Sequence, residues 1–293
     1  MAATAIALLG FSMSRSYWML CFWAIPYGLG AGSVDASLNN YVALHYASRH
    51  MSWLHCMWGV GAATGPYIMG FALSSGQNWN AGYLYVAVLQ VILCITLLFS
   101  MGRWKCSALQ GQKGRKPLPL KRVFTIPGAR EVMLAFLCYC AVEQTAGMWA
   151  SSYFVMKDGV SPQEAANLAS LYYIGLTAGR FFSGFLTMRF DDTTMIRMGQ
   201  GVMLAGIVVM LLPLGCAPIY PCIIHSTPRH FGEENSQAVI GVQMASAYLG
   251  CLTMPSVFGL IANHISMSLL PVFLALLLGL MVLAYERLER ITR

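Results

Sequence analysis

The stretch Gly28–His45, GLGAGSVDASLNNYVALH, decides the reading of this chain. It lies in a long apolar run, Tyr17–Leu44, and carries Asp35, Asn39 and Asn40 within it. Asp35 and Asn39 are four residues apart, so on a helix they share one face. A carboxylate turned to the hydrocarbon of a bilayer costs about 3 kcal/mol or more, so such an acid must face a protein interior or a water-filled cavity. The rest of the chain then reads as a helical scaffold around that cavity.

Composition supports a membrane setting. Charged residues make up 10% of the 293 residues and apolar ones 57%, with a mean hydropathy of +0.61. Soluble domains carry about 25% charge, and a chain this poor in charge cannot cover a water-facing surface. An integral membrane protein is the expected class. The net charge of +7 is not a nucleic-acid footprint, because the bases gather in loops on one side of the spans. Cys21, Cys94, Cys138 and Cys140 sit in apolar runs, and no CxxC pair occurs among the nine cysteines. The thiols therefore read as small apolar residues, and no metal or cofactor is expected.

The apolar runs are Ala2–Met13, Tyr17–Leu44, Met51–Leu73, Gly82–Met101, Val132–Val155, Ala165–Met188, Met195–Thr227, Ala238–Ala262 and Ile265–Ala284. Most are long enough to cross about 30 Å of hydrocarbon as helices, and the ten-residue alternation of membrane strands is missing. Ala2–Met13 is too short for a full crossing and reads as the second half of a helix, as if the chain began mid-span. The connectors are short except for Gly102–Gly128, a basic, proline-bearing linker. This gives an expected division into an N-terminal bundle over 1–101, a linker over 102–128 and a C-terminal bundle over 129–293. With the linker placed in the cytoplasm, fifteen Lys and Arg residues fall inside and two, Arg15 and Lys157, outside, while Arg180 lies within a span. That asymmetry sets the orientation, with the C-terminus also cytoplasmic. One difficulty follows. Arg197 and Arg229 must both be inside, yet Met195–Thr227 offers 33 residues for two crossings that need about 40. Either two short helices dip in and out there, or residues are missing near Pro213–Gly215; the second is the expectation.

Several segments then resemble a known family in order and spacing. Gly179–Asp191, GRFFSGFLTMRFD, is similar to the loop motif between helices 8 and 9 of the major facilitator superfamily. GAGSVDASLNNYV resembles helix 4 of its fucose permease-like sugar:proton symporter branch, and LHCMWGVGAATGPYIMG resembles helix 5. PIYP at Pro218–Pro221 resembles helix 10, and GVQMASAYLG, with Pro255 and Gly259 beyond it, helix 11. The resemblance implies an all-α, polytopic membrane bundle: a two-bundle major facilitator fold lacking the first two helices and part of the third, and shortened around helices 9 and 10. It also implies that an acid on helix 1, tied to proton coupling in this branch, has no counterpart here.

The candidate site follows from residues and resemblance together. Asp35, Asn39 and Asn40 offer a carboxylate and two amides, groups that match the donors and acceptors of vicinal hydroxyls. An acid removed from water also binds a proton more readily, which suits proton coupling. The competing reading is a polar cluster that holds helices together. Glu143, with Gln144 beside it and Trp149 and Tyr153 at helical spacing, is the other deep acid; an indole face stacks well on a sugar ring. Its competing reading is a buried pair with Arg180. The resemblance makes Arg180, Arg189 and Asp191 cytoplasmic gating residues, against simple snorkelling of Arg180 to the inner surface. Pro218 and Pro221 are expected to break a helix near Tyr220, freeing carbonyls as transporters do at binding sites. His225 and His55 read as interfacial residues. By the family's helix order, Asp35, Glu143 and Tyr220 fall on helices 4, 7 and 10, which line its central cavity.

The expected protein is thus a non-enzymatic carrier of the plasma membrane. It moves a sugar or similar small polar solute with protons, probing a midplane site alternately from each side. It acts as a monomer in the lipid bilayer, without nucleic acid or cofactor. The rival expectation is a truncated, transport-inactive fragment of such a carrier.

Overall fold

The computed structural model describes residues 1–100, 102, 118–209 and 218–292. Most of the linker's bases, from Arg103 to Lys116, lie outside the described residues, as do Pro213–Gly215. Every regular element among the described residues is helical. In chain order these are α1 (Ala2–Met13), α2 (Tyr17–His45), α3 (Ser48–Ser74), α4 (Trp79–Ser100), a single turn Leu120–Val123, α5 (Ala129–Asp158), α6 (Pro162–Leu186), α7 (Asp192–Val209), α8 (Ile219–Phe231), α9 (Glu233–His264), a 3₁₀ turn Met267–Leu269 and α10 (Leu270–Ile291).

Local chemistry sets the boundaries. Ser161 caps α6 by accepting from the Glu164 amide, the Glu164 carboxylate accepts from the Ser161 amide, and Pro162 opens the helix where no amide is needed. Gly159 after α5 and Gly232 between α8 and α9 adopt φ of 67° and 76°, where a side chain would be strained. Among the described residues, four helical stretches are long and apolar enough to cross a membrane: Trp79–Ser100, Ala129–Lys157, Glu233–His264 and Met267–Ile291. The helices α2, α3 and α6 are comparably long, at 29, 27 and 25 residues, and carry Asn39, His55 and Arg180 among the polar residues discussed below.

Of the stretch expected to be too short, the described residues show α7 over Asp192–Val209 and α8 over Ile219–Phe231, 18 and 13 residues that rise about 27 and 20 Å. Pro221 does not break α8, contrary to expectation. Pro218 is the residue before α8, and Pro221 lies in its first turn. A first-turn amide has no intrahelical acceptor, so proline is tolerated there.

Packing divides the chain into two compact units. One comprises Met1–Ser37 and Val60–Pro117, the other Leu38–Gly59 and Leu118–Arg293. The second unit thus takes in the end of α2 and the start of α3 as well as everything after the linker. In the first unit α1 lies along α4. The Asn80 amide donates to the carbonyls of Ser12 and Ser14 at 3.0 and 2.8 Å, and Gln90 donates to Thr4 at 3.0 Å. In the second unit α5 is the hub, packed by α9 and α10 and also by α6 and α8. Phe136 and Tyr139 of α5, Phe258 of α9 and Tyr285 of α10 are fully buried there.

Candidate functional site

The second unit holds a cluster of charged and amide side chains buried between long apolar helices. Arg180 of α6 is 3% exposed, and Glu143 of α5 is 7% exposed. One terminal guanidinium nitrogen of Arg180 donates to both carboxylate oxygens of Glu143, at 3.1 and 3.3 Å. Tyr139, one turn earlier on α5, donates its hydroxyl to the same carboxylate. The other terminal nitrogen of Arg180 reaches the carbonyl of His55 on α3 at 3.5 Å. The guanidinium also lies over the rings of Trp58 and Tyr220, 5.1 and 5.8 Å from their centroids, a cation–π arrangement. Among the described residues no acceptor reaches its buried Nε. Two charges taken out of water are tolerable only when paired this closely, because an unpartnered buried ion costs several kcal/mol.

The cluster extends into α2 and α9. His55, buried, bonds through Nε2 to the Asn39 side-chain oxygen at 3.1 Å, and the Asn39 amide faces the Met244 sulfur at 3.9 Å. Tyr220 of α8 packs its ring on His55 and Phe136, with centroids 4.5 and 4.6 Å apart, and its hydroxyl points at the same Met244 sulfur. Asn40 accepts a hydrogen bond from Ser236 of α9 at 2.7 Å. Tyr172 of α6 donates to the Glu143 carbonyl at 2.9 Å, which fixes α6 on α5.

The seam between α3 and α6 explains Gly184 of the GRFFSG stretch. A Cβ on Gly184 would lie 2.3 Å from Trp53 Nε1, so only glycine lets that indole sit against α6. Trp53 in turn donates to the Phe181 carbonyl at 3.3 Å. Gly59 of α3 meets Thr177 equally closely, whereas Gly61 and Gly65 have open space at their Cβ positions.

A second polar group sits where α2 ends and α3 and α7 begin, against the middle of α8. Asp192, the first residue of α7, accepts from Ser48 at 2.5 Å and from His225 Nδ1 at 2.6 Å. His225 Nε2 faces the Tyr46 carbonyl at 3.1 Å. Both ring nitrogens thus face acceptors, and the ring can donate to both only as an imidazolium. Nearby, Glu289 of α10 gathers Thr193, Arg229 and Tyr285 at 2.9, 3.2 and 3.0 Å.

The sequence-expected residues are distributed as follows. Glu143, Arg180, Asn39 and Tyr220 come together. Arg180 is buried and bonded, so it does not snorkel, and its partner is Glu143 rather than Asp191. Asn40 is bonded nearby to Ser236. Gln144 is half-buried beside Glu143. Trp149 instead packs on α9: its indole donates to the Pro255 carbonyl at 2.9 Å and its ring meets Phe258 edge-on. Asp35 is half-buried and belongs to the other unit. Arg189 is exposed, and Asp191 caps α7 by accepting from the Thr194 hydroxyl at 2.5 Å, a bond that holds its carboxyl below the usual range. His55 and His225, read as interfacial, are bonded side chains in these clusters. Sequence reasoning missed Tyr139, Ser48 and Asp192. The doubled acid Asp191–Asp192 at a helix start was the available signal for the last.

Ionised and amide side chains sealed between long apolar helices mark a multi-pass membrane protein. The sequence pattern of the Major Facilitator Superfamily matches residues 1–218 and 132–292, and the chain belongs to that family. Its relatives include Bypass of stop codon protein 6 of Saccharomyces cerevisiae, 23% identical over 60% of this chain and 40% of that protein. The glucose/mannose transporter GlcP of Bacillus subtilis is 22% identical over 64% of this chain and 48% of its own length. The chain therefore spans about half or less of these two curated relatives. Among solved structures, a form of the E. coli fucose:proton symporter FucP superposes with a TM-score of 0.70 at 13% identity, covering 98% of this chain and 83% of that one. The human organic anion transporter MFSD10 gives 0.69 at 14% identity, covering 98% and 75%. These likenesses establish the fold.

Proposed function

We propose that this chain forms part or all of a secondary active carrier that moves a sugar or similar small polar solute together with protons. The observation that carries this reading is the Glu143–Arg180 pair, with Tyr139, His55, Asn39 and Tyr220 around it, buried in helices of membrane length. An intramembrane charge pair is costly and is kept where it does work. A proton on Glu143 would remove the carboxylate charge that holds Arg180, freeing a guanidinium that already has one buried donor without an acceptor. A polar solute oxygen can take that donor, so proton and solute arrivals become coupled through one side chain. Asn39 and Tyr220 supply further donors and acceptors suited to hydroxyl groups. The sugar assignment is supported by the named substrates of GlcP and FucP, while the named substrate of MFSD10 shows that the fold does not fix the solute.

Alternating exposure of this site needs the polar group around Asp192 and His225 to open and close, which gives Arg189 and Asp191 places beside a gate. The carrier lies in the plasma membrane as a monomer, with the linker and C-terminus in the cytoplasm. The test is uptake of a panel of labelled hexoses, pentoses and organic anions into proteoliposomes holding the chain, with and without an inward proton gradient. Accumulation of at least one sugar only with the gradient is expected. Gradient-driven accumulation of anions alone, or of nothing, would overturn the reading.

A further inference from the structure

A groove of about 810 Å³ runs along the outside of the second unit between α5 and α9, away from the charge cluster. Its walls are Met133, Leu134 and Leu137 of α5 and Gly241, Ala245 and Leu249 of α9. The deep end is closed where the helices press together: a Cβ on Gly250 would lie 2.4 Å from the Leu137 carbonyl oxygen. Its floor is tied by Ser246, which donates to the Met133 carbonyl at 3.1 Å. Across the other end lies the turn Leu120–Val123; Leu120 and the following Phe124 line the same space and are 66% and 39% exposed. Arg130 lines this mouth and pins the turn by donating to the Phe124 carbonyl at 3.1 Å.

The mouth is basic. Arg130 lines it and is exposed; Lys121 and Arg122, exposed on the adjoining turn, do not line the groove itself, and the neighbouring acid Glu131 is paired with Arg287. Glu233 and Glu234 lie one turn before Gln237 on α9 and do not line the groove. From Gln237 to Leu249 the helix rises about 18 Å, a little more than half of the roughly 30 Å hydrocarbon core. A slot of one leaflet's depth, apolar along its length and cationic only at its mouth, matches one acyl chain topped by a phosphate.

We infer that this groove is a binding site for an acidic phospholipid, with an acyl chain between α5 and α9 and the headgroup phosphate on Arg130, Lys121 and Arg122. Assignment to the inner leaflet rests on the orientation proposed above; binding itself does not. The bound lipid would brace the turn that ends the linker against α5.

The experiment is native mass spectrometry of the detergent-purified chain with added phosphatidylglycerol or phosphatidylcholine. Melting is followed in parallel. Phosphatidylglycerol is expected to be retained as one tightly held molecule and to raise the melting temperature. Each basic side chain near an acidic headgroup is worth about fivefold in affinity, so Arg130→Gln should weaken phosphatidylglycerol about fivefold and leave phosphatidylcholine unchanged. Ala245→Trp, at an exposed position, should plug the slot and abolish retention. Gly241→Leu, where a Cβ meets nothing within 4 Å, is the milder plug should the first variant melt early. Equal retention of both lipids, or retention unaffected by both plugs, would overturn the inference. Neither result depends on transport activity, so failure here and failure of the carrier reading are separable.

Discussion

Two polar groups in the same unit solve the problem of charge among apolar helices in different ways. The group around Glu143 and Arg180 is sealed, with 9% and 3% of the two side chains exposed. The group at the helix ends, Asp192 with His225, Ser48 and Tyr46, is only partly covered, with 12% and 21% exposure of the ion pair. In the sealed group each charge depends on the other, because water cannot replace a lost partner. In the end group water can. The sealed pair is therefore suited to a change of protonation that is felt as a change of structure, and the end group to opening and reclosing at modest cost.

The largest expected effect tests that dependence. Glu143→Gln or Arg180→Gln alone should each destabilise the protein by about 3–5 kcal/mol, because each leaves a buried group unmatched. The double variant should melt closer to the parent than either single one. Additive losses would break the contrast between the two groups. At the α3–α6 seam, Gly184→Ala forces a Cβ to 2.3 Å from Trp53 Nε1 and should cost about 1–3 kcal/mol in the same melting assay. Asp192→Ala removes the acceptor for Ser48 and His225; with water able to enter, about 1–2 kcal/mol is expected.

Smaller still is Asp191→Ala, which removes the Thr194 bond at the start of α7 and should cost about 1 kcal/mol. This effect has a pH signature. The Asp191 carboxyl is held below its ordinary value of about 3.9 by the Thr194 hydroxyl, so its stabilisation is present above that value and is lost as pH falls through the lower, folded one. The difference between parent and variant melting temperatures should therefore be flat near neutrality and shrink only in strong acid. The Arg197–Glu286 pair, with 45% and 33% of its side chains exposed, should contribute at most about 1 kcal/mol and fade with salt.

Much of this was legible in the sequence because membrane burial makes a few residues conspicuous. An apolar run of 20 residues and an arginine within one can be read without coordinates, and so Arg180, Glu143 and Asn39 were found. The pairing of Glu143 was left open between solute contact and Arg180, since spacing along one helix says nothing about the register of the next. His55 and His225 were underestimated for the same reason: each is alone on its own helix and gains partners only from others. The prolines near Tyr220 were misread because their effect depends on where the helix starts, and α8 begins at Ile219. Trp149 was expected at the solute, but the Pro255 carbonyl on another helix engages its indole, a contact no local pattern announces.

The central claim is that the Glu143–Arg180 pair couples protons to solute. The direct measurement compares gradient-driven accumulation with solute exchange at equilibrium, in proteoliposomes holding the parent chain or Glu143→Gln. The account predicts that the variant loses accumulation and keeps exchange, since a neutral amide mimics the protonated carboxyl and can no longer cycle. Accumulation retained at the parent's level would contradict it.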